Sequence, residues 1–178
     1  MQRRVTTTTA SNIPQLAAIY YPDPTAPVLD LALAHEWGIQ LVGSPAEPFT
    51  LTTRAAPEAV IIDRAVLALV DTTWLRDQQR QGRLIVGLNV PPVQLATITG
   101  YTGATGSFRQ DCAGQPFYSF TYQWQQDGRV TQAGLSSDAI TSPLGFIGRL
   151  ASELQTQRES KVQPPTGVAI AVATRPAR

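Results

Sequence analysis

Cysteine, histidine and lysine each occur once in this chain, as Cys112, His35 and Lys161. A single cysteine excludes an intrachain disulfide, and one Cys with one His excludes every zinc site built from several such ligands. Charge is sparse as well: 15% of residues are charged, against roughly 25% in an average soluble domain, and the formal net charge is only +1. That balance argues against general nucleic-acid binding, which needs a basic surface to neutralise phosphates. No apolar run reaches membrane-spanning length. The polar start Met1 to Ser11, despite Arg3 and Arg4, is followed by no apolar segment of the secretory type. A cytoplasmic protein with no membrane attachment is expected, and nothing in the residue pattern asks for a metal or cofactor.

What is present is a chain of 178 residues, 43% of them hydrophobic, which is enough for one domain with a core of its own. Residues 1–12, with four successive threonines from Thr6, read as a flexible arm. Residues 13–158 read as a single α+β domain and 159–178 as a loosely ordered tail after Pro164-Pro165. No internal repeat is found.

The strongest local signal is the stretch from Pro57 to Gln81. Pro57 and Glu58 suit the first turn of a helix, and Gly82 suits its stop. Ile61, Ile62, Ala65, Val66, Leu69, Val70 and Trp74 then form a wide apolar arc on a helical projection. The expectation is a long central helix over about 57–81, with a break at Asp71-Thr72-Thr73 as the alternative, since short polar side chains there can cap a second helix.

Around it, Pro14–Tyr21 suggests a short helix, Val28–Trp37 a helix stopped by Gly38, and Ile39–Val42 a strand paired as a hairpin with Phe49–Thr53. Arg83–Val90 suits a central strand and Val93–Thr99 another. Phe117–Gln125 alternates strongly, and Asp127-Gly128 is a hairpin turn signal returning along Arg129–Ala133. Ser142-Pro143 caps a helix to about 158. The pattern predicts an α+β fold with a mixed or mainly antiparallel sheet, in preference to a doubly wound parallel one, because regular strand-helix alternation is missing.

Several residues are candidates for function. The loop from Gly100 to Arg109 spaces Gly100, Gly103 and Gly106 three apart and ends on Arg109, so its backbone N–H groups can cradle an anion. Within it, Thr102-Gly103-Ala104-Thr105-Gly106 resembles the phosphate-binding loop of short-chain dehydrogenases, as does Leu144 to Arg149. Ser107–Gln115 carries no helical apolar pattern to stand behind the loop, so a surface hairpin is the preferred reading. Within Ile62 to Leu95, Trp74, Gly82, Leu84, Val86, Asn89 and Leu95 resemble a stretch of cyclic-di-GMP phosphodiesterase domains. The likeness spans under a fifth of the chain, the family's Glu-Ala-Leu motif is missing, and no site is carried over.

His35 beside Glu36 can be a general base or a helix-end residue, with the second preferred. Asp63 is the odd residue of the long apolar arc. Burial would raise its pKa, and pairing with Arg54 or another arginine is the usual remedy. The aromatic face of Tyr118, Phe120, Tyr122 and Trp124 suits a core, a stacking platform or an interface.

The expected function is a non-enzymatic protein-binding or structural module acting in a larger assembly or homo-oligomer, with Leu75, Tyr118, Tyr122 and Trp124 at its interface. The alternative is a small-ligand or nucleotide-binding domain using the loop from Gly100 to Arg109. Third comes an enzyme using His35 or buried carboxylates.

Overall fold

The structure, a computed structural model, describes residues 15–43, 57–102, 114–126 and 129–162. Six strands form one mixed sheet: β1 (Ala18–Tyr21), β2 (Gln40–Leu41), β3 (Ala59–Asp63), β4 (Leu84–Leu88), β5 (Phe117–Gln126) and β6 (Arg129–Ala139), in the spatial order β2-β1-β3-β4-β5-β6. The first four strands are parallel, and β5 and β6 are antiparallel to their neighbours. Four α-helices accompany them: α1 (Leu31–Glu36), α2 (Thr72–Arg80), α3 (Pro92–Thr99) and α4 (Pro143–Val162). The mixed α+β architecture and the C-terminal helix follow the sequence expectation. No helix among the described residues is long and apolar enough to cross a membrane.

The central helix over 57–81 does not form. Its first part, Ala59–Asp63, is β3, buried at every position; a 3-10 segment follows at Arg64–Leu69, and only Thr72–Arg80 is α-helical. The break falls at Asp71, whose carboxylate accepts a 2.8 Å hydrogen bond from the Thr73 amide. A strand covered on both faces is apolar all along, so it presents to a helical projection the same wide arc that a buried helix would.

Two further expectations are corrected. The end of Pro14–Tyr21 is strand β1, and Val93–Thr99 is helix α3, opened by Pro92 in its first turn and closed by Gly100 at φ 70°. The partner strand at Phe49–Thr53 and the turn at Asp127-Gly128 lie outside the described residues. Arg129 onward does return along β5, as far as Ala139.

Alternation along the strands sorts the core into two layers. Tyr20, Ala59, Ile61, Leu84, Val86 and Leu88 face Trp37 next to α1, and Phe146, Ile147, Leu150 and Leu154 of α4. Ile19, Tyr21, Val60, Ile62 and Ile85 face Val66 and Leu67 of the 3-10 segment, Leu75 of α2 and Leu95 of α3. The β1–β2 connection therefore crosses one face through α1, and the β3–β4 connection crosses the other through α2. The chain leaves the neighbouring strands β1 and β3 in opposite directions, which opens a crevice beyond their carboxyl ends.

Candidate functional site: the crevice beyond β1, β3 and β4

Asp63 is the last residue of β3 and is only 1% exposed. Its Oδ2 accepts three hydrogen bonds: from the Tyr20 hydroxyl at 2.7 Å, the Asp23 amide at 2.7 Å and the Val28 amide at 3.2 Å. Tyr20 in turn accepts from the Leu29 amide at 3.3 Å. One oxygen thus pins both ends of the turn from Asp23 to Val28 onto the sheet. Proline at positions 22, 24 and 27 gives that connector little regular structure of its own, so side-chain acceptors take up its amides.

The other oxygen, Oδ1, is buried and has no hydrogen-bond partner among the described residues. A buried carboxylate oxygen left unpaired is costly. Burial is the largest influence on Asp63 and pushes its pKa up; the three donors oppose this in part, and the nearby Asp23 charge adds to it. The Tyr20 hydroxyl is also pushed up, by burial first and by its bond to Asp63 second.

Asp63 opens on a crevice of ≈ 410 Å³, within the usual size of small-molecule sites, bordered by Asp23, Val28, Arg64 and Asn89. The polar atoms of that border are not all free. Asp23 Oδ1 accepts from the Thr25 amide and hydroxyl, both at 2.8 Å, and these bonds lower its pKa. Asn89 sits at φ 57°, a conformation that asparagine tolerates better than most residues. Its amide donates to the Phe117 carbonyl at 2.8 Å and its Oδ1 accepts from the Phe117 amide at 3.0 Å. Asn89 therefore fixes the β4–β5 junction and keeps its side-chain NH₂ to offer. Arg64 stands exposed at the border and makes no ion pair among the described residues. The site combines a buried acceptor, an exposed cation and an amide donor.

The residues singled out from sequence lie elsewhere. Gly100 ends α3 in the left-handed region, while Gly103, Gly106 and Arg109 lie outside the described residues, as do Cys112 and Arg54. Leu75 is 1% exposed within the second core layer, which corrects its place at an interface: its side chain has no free surface to offer. Tyr118 is buried too, stacked on Phe120 at 6.1 Å and edge-on to Phe146 at 5.2 Å. Tyr122 is half-buried against the same layer, so core packing accounts for these two aromatics; Trp124 is placed only as the β5 residue opposite Gln132. His35 is exposed in the last turn of α1.

Of the crevice, sequence reasoning found Asp63, as a carboxylate inside an apolar arc, and its burial and raised pKa follow that reasoning. Its partners are a tyrosine and two backbone amides in place of an arginine. Asp23, Val28 and Asn89 were missed; the remaining signal was the run of prolines around Asp23, which announces a connector with unpaired amides. Neither a family model, nor a curated protein, nor a solved structure matches the chain, so the functional reading rests on the crevice itself.

Proposed function

We propose that the protein is a small-ligand-binding domain whose site is the crevice beyond β1, β3 and β4. The observation that carries this reading is Asp63 at the crevice border, whose Oδ1 is buried without a partner among the described residues while its twin oxygen accepts three hydrogen bonds. A protonated amine supplies what that oxygen lacks, since it brings both a donor and a compensating charge. Arg64 at the border suits an anionic group on the same ligand, which makes a zwitterion of amino-acid or aminoalkyl-phosphate type the best fit. Asp23 and Asn89 already spend an oxygen each on the backbone, so the reading is binding, with no catalytic step assigned.

The test is a nitrogen-15 NMR titration with glycine, β-alanine, γ-aminobutyrate and phosphoethanolamine, each beside its N-acetylated counterpart. The expected result is saturable movement of the Asp23, Val28 and Asn89 amides with the free amines only, lost in Asp63→Asn. No movement with any amine, or equal movement with the acetylated forms, would defeat the reading.

A second reading, the protein-binding module of an assembly or homo-oligomer, draws support from low charge and from Leu69 and Leu144, which are 60% and 72% exposed. Light scattering across a wide concentration range tests it, and a strictly monomeric chain would count against a homo-oligomer.

A further inference from the structure

A second polar recess lies at the opposite end of the sheet, separate from the crevice. Strand β5 runs antiparallel to β4, with Thr121 opposite Ile85, so Gln123 lies near the point where β4 begins. There the carboxyl-terminal parts of α2 and α3 meet β5 and enclose ≈ 40 Å³ between Arg76, Gln79, Arg80, Thr99, Gly100 and Gln123. At roughly 10–15 Å³ for one water, that is room for about three waters or one small oxyanion.

The lining is unusual in what it leaves unused. Gln79 is 2% exposed; its Nε2 donates to Thr121 Oγ1 at 3.1 Å, and its Oε1 is buried with no partner among the described residues. Gln123 is 5% exposed, and its Oε1 already accepts from the Thr102 amide and hydroxyl at 3.2 and 3.3 Å, so what it offers a ligand is N–H. Arg76 is anchored by an Nε bond to the Ile98 carbonyl at 3.2 Å, which leaves its terminal nitrogens available. It lies across Gly100, where an added Cβ would come within 3.5 Å of the guanidinium. Among the described residues Arg80 pairs only with Asp77, in an exposed ion pair. Two guanidinium groups and an amide donor therefore surround a buried acceptor, and the described residues that line the recess include no carboxylate.

We infer that this recess binds a phosphate group carrying a proton, as inorganic phosphate or a phosphate monoester. Its oxygens accept from Arg76, Arg80 and Gln123, and its hydroxyl donates to Gln79 Oε1. Guanidinium groups favour such oxyanions through paired, charge-assisted hydrogen bonds.

The experiment is calorimetry with inorganic phosphate near pH 6 at fixed ionic strength, with chloride and sulfate as controls, and side-chain amide NMR as a second readout. Saturable phosphate binding is expected, with movement of the Gln79 and Gln123 amides. Arg76→Gln and Arg80→Gln, both at exposed positions, are each expected to weaken it by about tenfold or more, the loss of a charged hydrogen bond. Asp63→Asn is expected to leave it unchanged. Absence of saturable binding, full affinity in Arg76→Gln, or sulfate binding as tightly as phosphate would overturn the inference.

Discussion

Replacing Asp63 separates its role in holding the fold from its role as a ligand acceptor. In Asp63→Ala the Tyr20 hydroxyl and the Asp23 and Val28 amides lose their common acceptor. Hydrogen bonds to a charged group are each worth about 1.5–3 kcal/mol, and the two at 2.7 Å carry most of the effect. Removal of a desolvated carboxylate offsets part of the loss. The net expectation is destabilisation by about 2–4 kcal/mol at neutral pH, within the range of a disrupted buried network. In Asp63→Asn the side-chain oxygen keeps the three donors, and the cost is expected to stay within about 1 kcal/mol of wild type.

Urea unfolding at several pH values measures both variants and adds a test of sign. The folded-state pKa of Asp63 is raised. Its contribution is then fully present below the unfolded value of about 3.9 and is lost as pH rises through the folded midpoint. Asparagine does not titrate. Asp63→Asn is therefore expected to improve relative to wild type as pH climbs through that window and to level off above it. An alanine variant as stable as wild type, or an asparagine variant that shows no such trend, would refute the account of the network.

Three other outcomes follow from the same structure. Leu75→Ala is expected to cost about 2–5 kcal/mol because the side chain is fully buried, whereas Leu69→Ser at a 60% exposed position is expected to stay within about 0.5 kcal/mol; thermal melts compare them directly. Gly87→Ala in β4 would place a Cβ 2.6 Å from that of Val90 and 3.3 Å from Leu95, so chemical denaturation is expected to show a loss of about 1–3 kcal/mol. Amine binding in the crevice is expected to weaken as pH falls through the raised midpoint of Asp63, because the protonated acid offers no charge, and calorimetry across that range checks it.

The elements legible in the sequence were those with a local cause. Ser142 before Pro143 marked α4, and its hydroxyl does accept from the Gly145 amide at 3.0 Å. Alternation marked β5, and the run Arg83–Val90 marked a central strand, which forms over Leu84–Leu88. The stretch after Pro57 misled because burial on both faces erases the period that distinguishes strand from helix. Val93–Thr99 misled for a related reason: over so short a run its apolar positions alternate by chance, and the evidence for a helix lay at its ends, in Pro92 and Gly100. A resolved order of strands was beyond local pattern altogether. Crossovers through α1 and α2 link β1 to β2 and β3 to β4, and pairing between distant segments leaves no mark at either one.

The same topology explains why the candidate crevice was only half visible. Parallel strands β1, β3 and β4 all deliver their carboxyl ends to one edge, so Asp23, Asp63 and Asn89, far apart in sequence, converge without any shared motif. Only Asp63 breaks a local rule, by placing a charge among apolar residues, so of the three it alone stands out in the sequence. The antiparallel turn into β5 has the opposite consequence. It carries Gln123 back toward the start of β4, where Gln79 and Arg76 of α2 wait on the far side of the sheet from α4. Because the two places share no residue and sit at opposite ends of the strands, substitutions at one are expected to combine additively with substitutions at the other. An Asp63→Asn, Arg76→Gln double variant whose unfolding free energy departs from the sum of the singles by more than about 0.5 kcal/mol would refute that independence and show that the sheet couples the two ends.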